Sequence, residues 1–227
     1  MNPIVKILIA SDAFIFFGLG LIGPIFAVFI INHLAGGSLS AAGTASAIYL
    51  VTKALFQLPV ARFTDREPAQ LREFWTLVVG YFMITLVPFF YLYITTVSGL
   101  YLAQFFYGLG SALAFPGWMS IFTKFADHEH AGFSWSAHNT TILLSTAAAG
   151  AIGGYIGEFY GFTPLFLGVG IMVFLGFFAT IGLAVFYDDL RLVDLPKLRS
   201  FKERWHEVLK HKRRPLPPPH TPGQIIK

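Results

Sequence analysis

The chain has 227 residues, of which 55% are hydrophobic and 17% aromatic, while only 12% carry charge, about half the roughly 25% usual in soluble domains. That balance excludes an ordinary water-soluble domain. No cysteine is present, which excludes disulfides and thiolate metal sites, and the formal charge of +4 acquires meaning only from where each charge falls along the chain.

A bilayer core of about 30 Å needs about 20 apolar residues in helix, and six stretches meet that requirement, at about 4–31, 39–61, 74–94, 99–122, 133–157 and 163–186. The first is too long for a signal-peptide core and lacks a small-residue cleavage site, so it is read as a retained membrane helix. It carries Asp12. The second carries Lys53 and, one helical turn on, Gln57. The fourth carries Gln104 and Trp118, and the fifth carries Trp135, His138 and Asn139. Asp12 and Lys53 are read as the only acid and base well inside these spans. The connections are short and polar, which predicts a compact bundle.

Lysine and arginine favour the cytoplasmic side. The loops after the first, third and fifth spans hold neither, whereas the other side holds Lys6, Arg62, Arg66, Arg72, Lys124 and the basic tail from Arg191. Both termini are therefore expected in the cytoplasm. The expected organisation is a membrane domain at 1–190 and a tail at 191–227. In that tail Leu198, Phe201, Trp205 and Leu209 recur at helical spacing among basic residues, a pattern for a helix on anionic lipid or a solvated one, before a proline-rich end.

Two segments about 90 residues apart are alike: Phe16-Phe17-Gly18-Leu19-Gly20 with Pro24, and Phe106-Tyr107-Gly108-Leu109-Gly110 with Pro116. The second and fifth spans also both open with small and hydroxyl residues. Two three-helix units would enter the membrane from opposite sides, because three is odd, and form an inverted 3+3 repeat.

The loop Ala61-Arg62-Phe63-Thr64-Asp65-Arg66 resembles the major facilitator superfamily signature Gly-x-x-x-Asp-Arg-x-Gly-x-Arg. Asp65 and Arg66 fall on the signature, while Ala61 and Pro68 stand in place of its glycines. The resemblance implies a cytoplasmic gate role for Asp65 and Arg66. The fourth span resembles the family's Arg-x-x-x-Gly-x-Gly pattern, with Gln104 where arginine is usual, and Ala149, Gly153 and Gly157 resemble its glycine-rich fifth helix. The implied fold is an all-α integral membrane protein. Because family members usually have two six-helix halves with substrate between them, the six spans read as one half, pairing as a parallel homodimer.

The implied function is secondary transport by alternating access in a bacterial inner or plasma membrane, by symport with protons. At 1.5 Å per residue, Asp12 and Lys53 each lie about 12 Å from their cytoplasmic helix ends, a depth that permits pairing. Buried charges are expensive in lipid and tend to find a cavity and a partner. Asp12, Lys53 and His138 are therefore the proton-coupling candidates, and first-helix acids in several family members make that resemblance relevant to Asp12. Structural pairing, or Lys53 snorkelling to the headgroups, is the competing reading. Gln57, Gln104, Asn139 and Trp118 are the substrate-binding candidates, with interhelical hydrogen bonding or interfacial anchoring as alternatives.

Amide, hydroxyl and aromatic groups beside few charges suit a small neutral polar solute such as a sugar. An amphiphilic drug, or a non-transporting scaffold role, remains the alternative. The run Asp127-His128-Glu129-His130 is a poor metal site, since ligands two apart do not share a helix face. No Walker pattern or nucleophile elbow marks an enzyme, and no cofactor or nucleic-acid partner is expected. The expected partners are a second copy, a small-molecule substrate, the proton and the lipid bilayer.

Overall fold

A computed structural model describes residues 1–66, 69–127 and 129–183; the amphipathic and proline-rich tail and the end of the expected membrane domain at 190 lie outside the described residues. Those described residues form helices α1 (Pro3–Ile22), α2 (Phe26–His33), α3 (Leu39–Thr64), α4 (Ala69–Tyr91), α5 (Val97–Phe125), α6 (Ala131–Phe159) and α7 (Phe162–Ile181). Six helical segments among them are long and apolar enough to cross a membrane, the first being Pro3–His33. It comprises α1 and α2, joined by a 3₁₀ turn at Gly23–Ile25. Pro24 explains the break, because it has no N–H to offer the carbonyl one turn earlier.

Helix starts follow the local sequence. Asn2 accepts a hydrogen bond from the Ile4 amide, Ser38 from that of Ala41, and Thr96 from that of Gly99, each satisfying an amide that has no partner within its helix. The loops after α2 and α4 meet at one end of the bundle, where the Ala35 amide donates to the Thr95 carbonyl at 2.8 Å. Phe29, Tyr91, Phe162 and Phe166 pack near that end, with Phe29 and Phe166 edge to face at 4.8 Å.

Helix α1 packs against α6 and α7, while α5 packs against α3 and α4. Small residues set these approaches. A β-carbon on Gly153 would collide with the Leu21 carbonyl of α1, and one on Gly117 with the Glu73 carbonyl of α4. On the α7 side of α1, the Ser11 hydroxyl donates to the Gly176 carbonyl at 2.8 Å and pairs with Thr180.

Burial is uneven. In the most apolar window, 17% of α3 and 11% of α6 are buried, against 39–56% for the other four spans. Ser40, Thr44, Ser46, Ser136, Asn139 and Thr140 all lie exposed on these two helices.

Candidate functional site

Asp12 is buried on α1, with 3% of its surface exposed, yet it does not lack partners. Its Oδ1 accepts from the Tyr81 hydroxyl of α4 at 2.5 Å, and its Oδ2 lies 2.7 Å from His138 Nε2 of α6. One carboxylate thereby joins three helices. The imidazole is enclosed by aromatic rings: Trp118 at 4.6 Å and Phe122 at 5.4 Å between centroids, with Trp118 and Phe122 stacked on each other. Trp135 closes against Phe122 at 4.5 Å. The Trp118 Nε1 is buried with no acceptor among the described residues. Shielding most of the pair from water, with 12% of the His138 side chain still exposed, strengthens its electrostatic interaction and raises the cost of separating it.

The expected Asp12–Lys53 pair does not form. Lys53 sits on α3, which packs on α5 and not along α1, and its ammonium lies 5.0 Å from the centre of the Phe115 ring. The two side chains belong to different sides of the bundle. Asp12 instead meets His138, which the sequence placed inside the fifth span without naming its partner.

The second carboxylate inside the bundle is Glu73, 2% exposed, which the expected span boundary at 74 left outside the membrane. The helix begins at Ala69, so Glu73 lies in its second turn. Its carboxylate accepts from Lys124 Nζ at 2.7 and 2.8 Å and from Ser120 Oγ at 2.6 Å, both on α5. Beside this pair a cavity of about 400 Å³ opens between α3 and α5, lined in part by Gln57, Asp65, Phe115, Ser120 and Lys124. Gln57 and Asp65 thus border one cleft. Arg66 is exposed next to Asp65, and Arg72 reaches back with its guanidinium 5.0 Å from the Phe63 ring centre.

The other substrate candidates are dispersed. Gln104 is buried and its amide donates to the Tyr91 hydroxyl at 3.3 Å. Trp118 belongs to the enclosure around His138, and Asn139, the next residue, is exposed on α6. Tyr49 of α3 and Tyr107 of α5 stack at 4.4 Å, a contact that no sequence pattern had singled out. In the loop before α6, Asp127 accepts from the Glu129 amide and pairs with His130 at 3.0 Å. The His130 hydrogen bond, helped by that amide, holds the Asp127 carboxyl below its ordinary value.

Comparison with known proteins adds three findings. The family model described as Major Facilitator Superfamily matches residues 8–218. Among solved structures, the in meso crystal structure of the POT family transporter PepTSo is similar with a TM-score of 0.65 and 18% identity over 79% of this chain, a likeness of fold. The chain spans 37% of the length of that structure. No curated protein matches.

Proposed function

Because the chain belongs to the Major Facilitator Superfamily, a family of membrane transporters, we propose that it is a proton-coupled secondary transporter working by alternating access as a parallel homodimer. The observation that carries this reading is the buried Asp12–His138 pair at 2.7 Å. A titratable pair inside a span is costly in lipid, and proton binding is one of the functions that such a cost serves.

Homodimerisation is supported by the least buried helices. Exposed hydroxyl and amide groups on α3 and α6, Asn139 next to His138 among them, are poorly placed against lipid tails and well placed against a second copy across a polar cavity. The six described spans provide one wall of such a cavity, and a twin in the same orientation supplies the other. Asp12 and His138 are assigned to the proton. Gln57, Asn139 and Trp118 are assigned to the solute, with Gln104 on the outer side. Lys53, one turn from Gln57 on α3 and over the Phe115 ring that lines the cleft, is a further charged position, and Asp65 and Arg66 act at the cytoplasmic gate. Both termini face the cytoplasm in this arrangement, in a bacterial inner or plasma membrane.

The favoured substrate is a small neutral polar solute such as a sugar, supported by the mixture of amide, hydroxyl and ring surfaces near the cleft. Export of an amphiphilic drug is the second reading, favoured by the exposed phenylalanines. The deciding experiment loads purified protein into liposomes, imposes a pH gradient and measures uptake of a panel of sugars and cationic drugs, with mass determined in lipid. Gradient-driven uptake by a dimer supports the proposal. Absence of flux across the panel favours a non-transporting scaffold, and flux by a monomer removes the homodimer.

A further inference from the structure

Each oxygen of the Asp12 carboxylate is already taken, Oδ1 by the Tyr81 hydroxyl at 2.5 Å and Oδ2 by His138 Nε2 at 2.7 Å. Among the described residues, the other elements around it add no charge. Helix α7 has no acid or base side chain in Phe162–Ile181, and α5 presents Trp118 and Phe122 to His138. The nearby ions of α4 and α5, Glu73 and Lys124, are bonded to each other, while Lys53 of α3 lies over Phe115. Among the described residues, Asp12 and His138 therefore have only each other as a charged partner.

Without a proton to share, the pair is a carboxylate beside a neutral imidazole, a net negative charge buried among aromatic rings, which is costly. With one extra proton it is neutral overall and exists in two forms, carboxylate with imidazolium or carboxylic acid with imidazole. We infer that Tyr81 selects between these two forms, placing the shared proton on His138 and keeping Asp12 as its fixed counter-ion. A hydroxyl donating to Oδ1 stabilises the carboxylate form, and it does so at the oxygen His138 does not use.

The proton step is then confined to the imidazole. In the unprotonated state Nε2–H points at Asp12 Oδ2 and Nδ1 is the basic atom. A hydronium ion gives its proton to Nδ1: one N–H bond forms, one O–H bond of hydronium breaks, water departs, and no bond to Asp12 changes. Release reverses the same step. Tyr81 is thus a positioning residue that acts through Asp12, and it enters the site from α4, a helix that neither proton candidate occupies.

This inference rests on the proposed proton role of the pair, but its test needs no substrate. Infrared difference spectra are recorded across a pH titration for the full chain in lipid, as wild type, Tyr81→Phe, His138→Gln and Asp12→Asn. Wild type is expected to show titrating imidazole bands that His138→Gln removes, and no protonated-carboxyl band that depends on Asp12. Tyr81→Phe is expected to gain such a band, which disappears in Tyr81→Phe/Asp12→Asn. An Asp12-dependent protonated-carboxyl band of equal intensity in wild type and Tyr81→Phe overturns the inference. Should Tyr81→Phe fail to fold, the wild type decides alone, since that band in wild type is sufficient to overturn it. The expected spectra combined with pH-independent uptake would reject proton-coupled transport while leaving the location of the proton intact.

Discussion

Tyr81 of α4 and His138 of α6 take opposite oxygens of one carboxylate, Asp12 on α1. Asp12→Asn keeps the shape of the side chain and its ability to accept from Tyr81, but removes the counter-ion. Gradient-driven uptake by this variant is expected to fall at least about tenfold and to lose its dependence on pH. Counterflow of solute without a gradient is expected to persist. Uptake by Asp12→Asn with the wild-type pH profile would remove Asp12 from the coupling mechanism.

Lys53 gives a contrasting prediction. It rests over Phe115 and away from Asp12, so Lys53→Met should preserve the Asp12–His138 pair and the pH profile of uptake. The measurement is the ratio of uptake at two pH values in the variant and in wild type. A pH profile for Lys53→Met matching that of Asp12→Asn would show that the two residues act as one unit despite their separation.

Six spans were legible because burial in lipid demands long apolar runs, and the described helices meet that length and composition requirement. What could not be read was which side each residue faces. Position along a helix follows from counting residues, which is what made Asp12 and Lys53 look like partners; azimuth depends on which helices become neighbours, and here α1 chose α6 and α7. The Glu73 site was missed for a different reason. Hydropathy placed the third span's start at the first residue after the charge, although the helix begins earlier, at Ala69, and Glu73 itself is buried, because Lys124 supplies the compensating charge from a helix about 50 residues away. Tyr81 carried no signal at all, since a tyrosine within an apolar run reads as a packing residue until a carboxylate is found beside its hydroxyl.

Glu73 and Lys124 lead to a stability prediction. Removing the ammonium with Lys124→Ala leaves a carboxylate with 2% exposure and, among the described residues, Ser120 as its remaining side-chain donor. The lysine side chain is 41% exposed, so the loss is set below that of a fully buried pair, at about 2–3 kcal/mol. Glu73→Gln removes the charge but keeps an amide oxygen that can accept from Ser120 or Lys124, and should cost about 1 kcal/mol. Thermal unfolding in detergent compares them, and a Lys124→Ala that is no less stable than Glu73→Gln contradicts the pair's role.

The crossing of α4 and α5 beside that pair depends on Gly117, where an added β-carbon would strike the Glu73 carbonyl, a backbone atom that cannot rotate away. Gly117→Ala must therefore push the helices apart or bend one of them, at about 1–3 kcal/mol. Displacement would also lengthen the contacts of Glu73 with Ser120 and Lys124, since these three residues meet across the same crossing. Gly154→Ala is the control, because open space surrounds that position on α6 and the substitution should leave stability within about 0.5 kcal/mol of wild type. Unfolding temperatures of the two variants decide the matter: a large loss for Gly117→Ala alone identifies the α4–α5 contact as the rigid part of the bundle, whereas equal effects would mean that helix propensity, and not close approach, governs both sites.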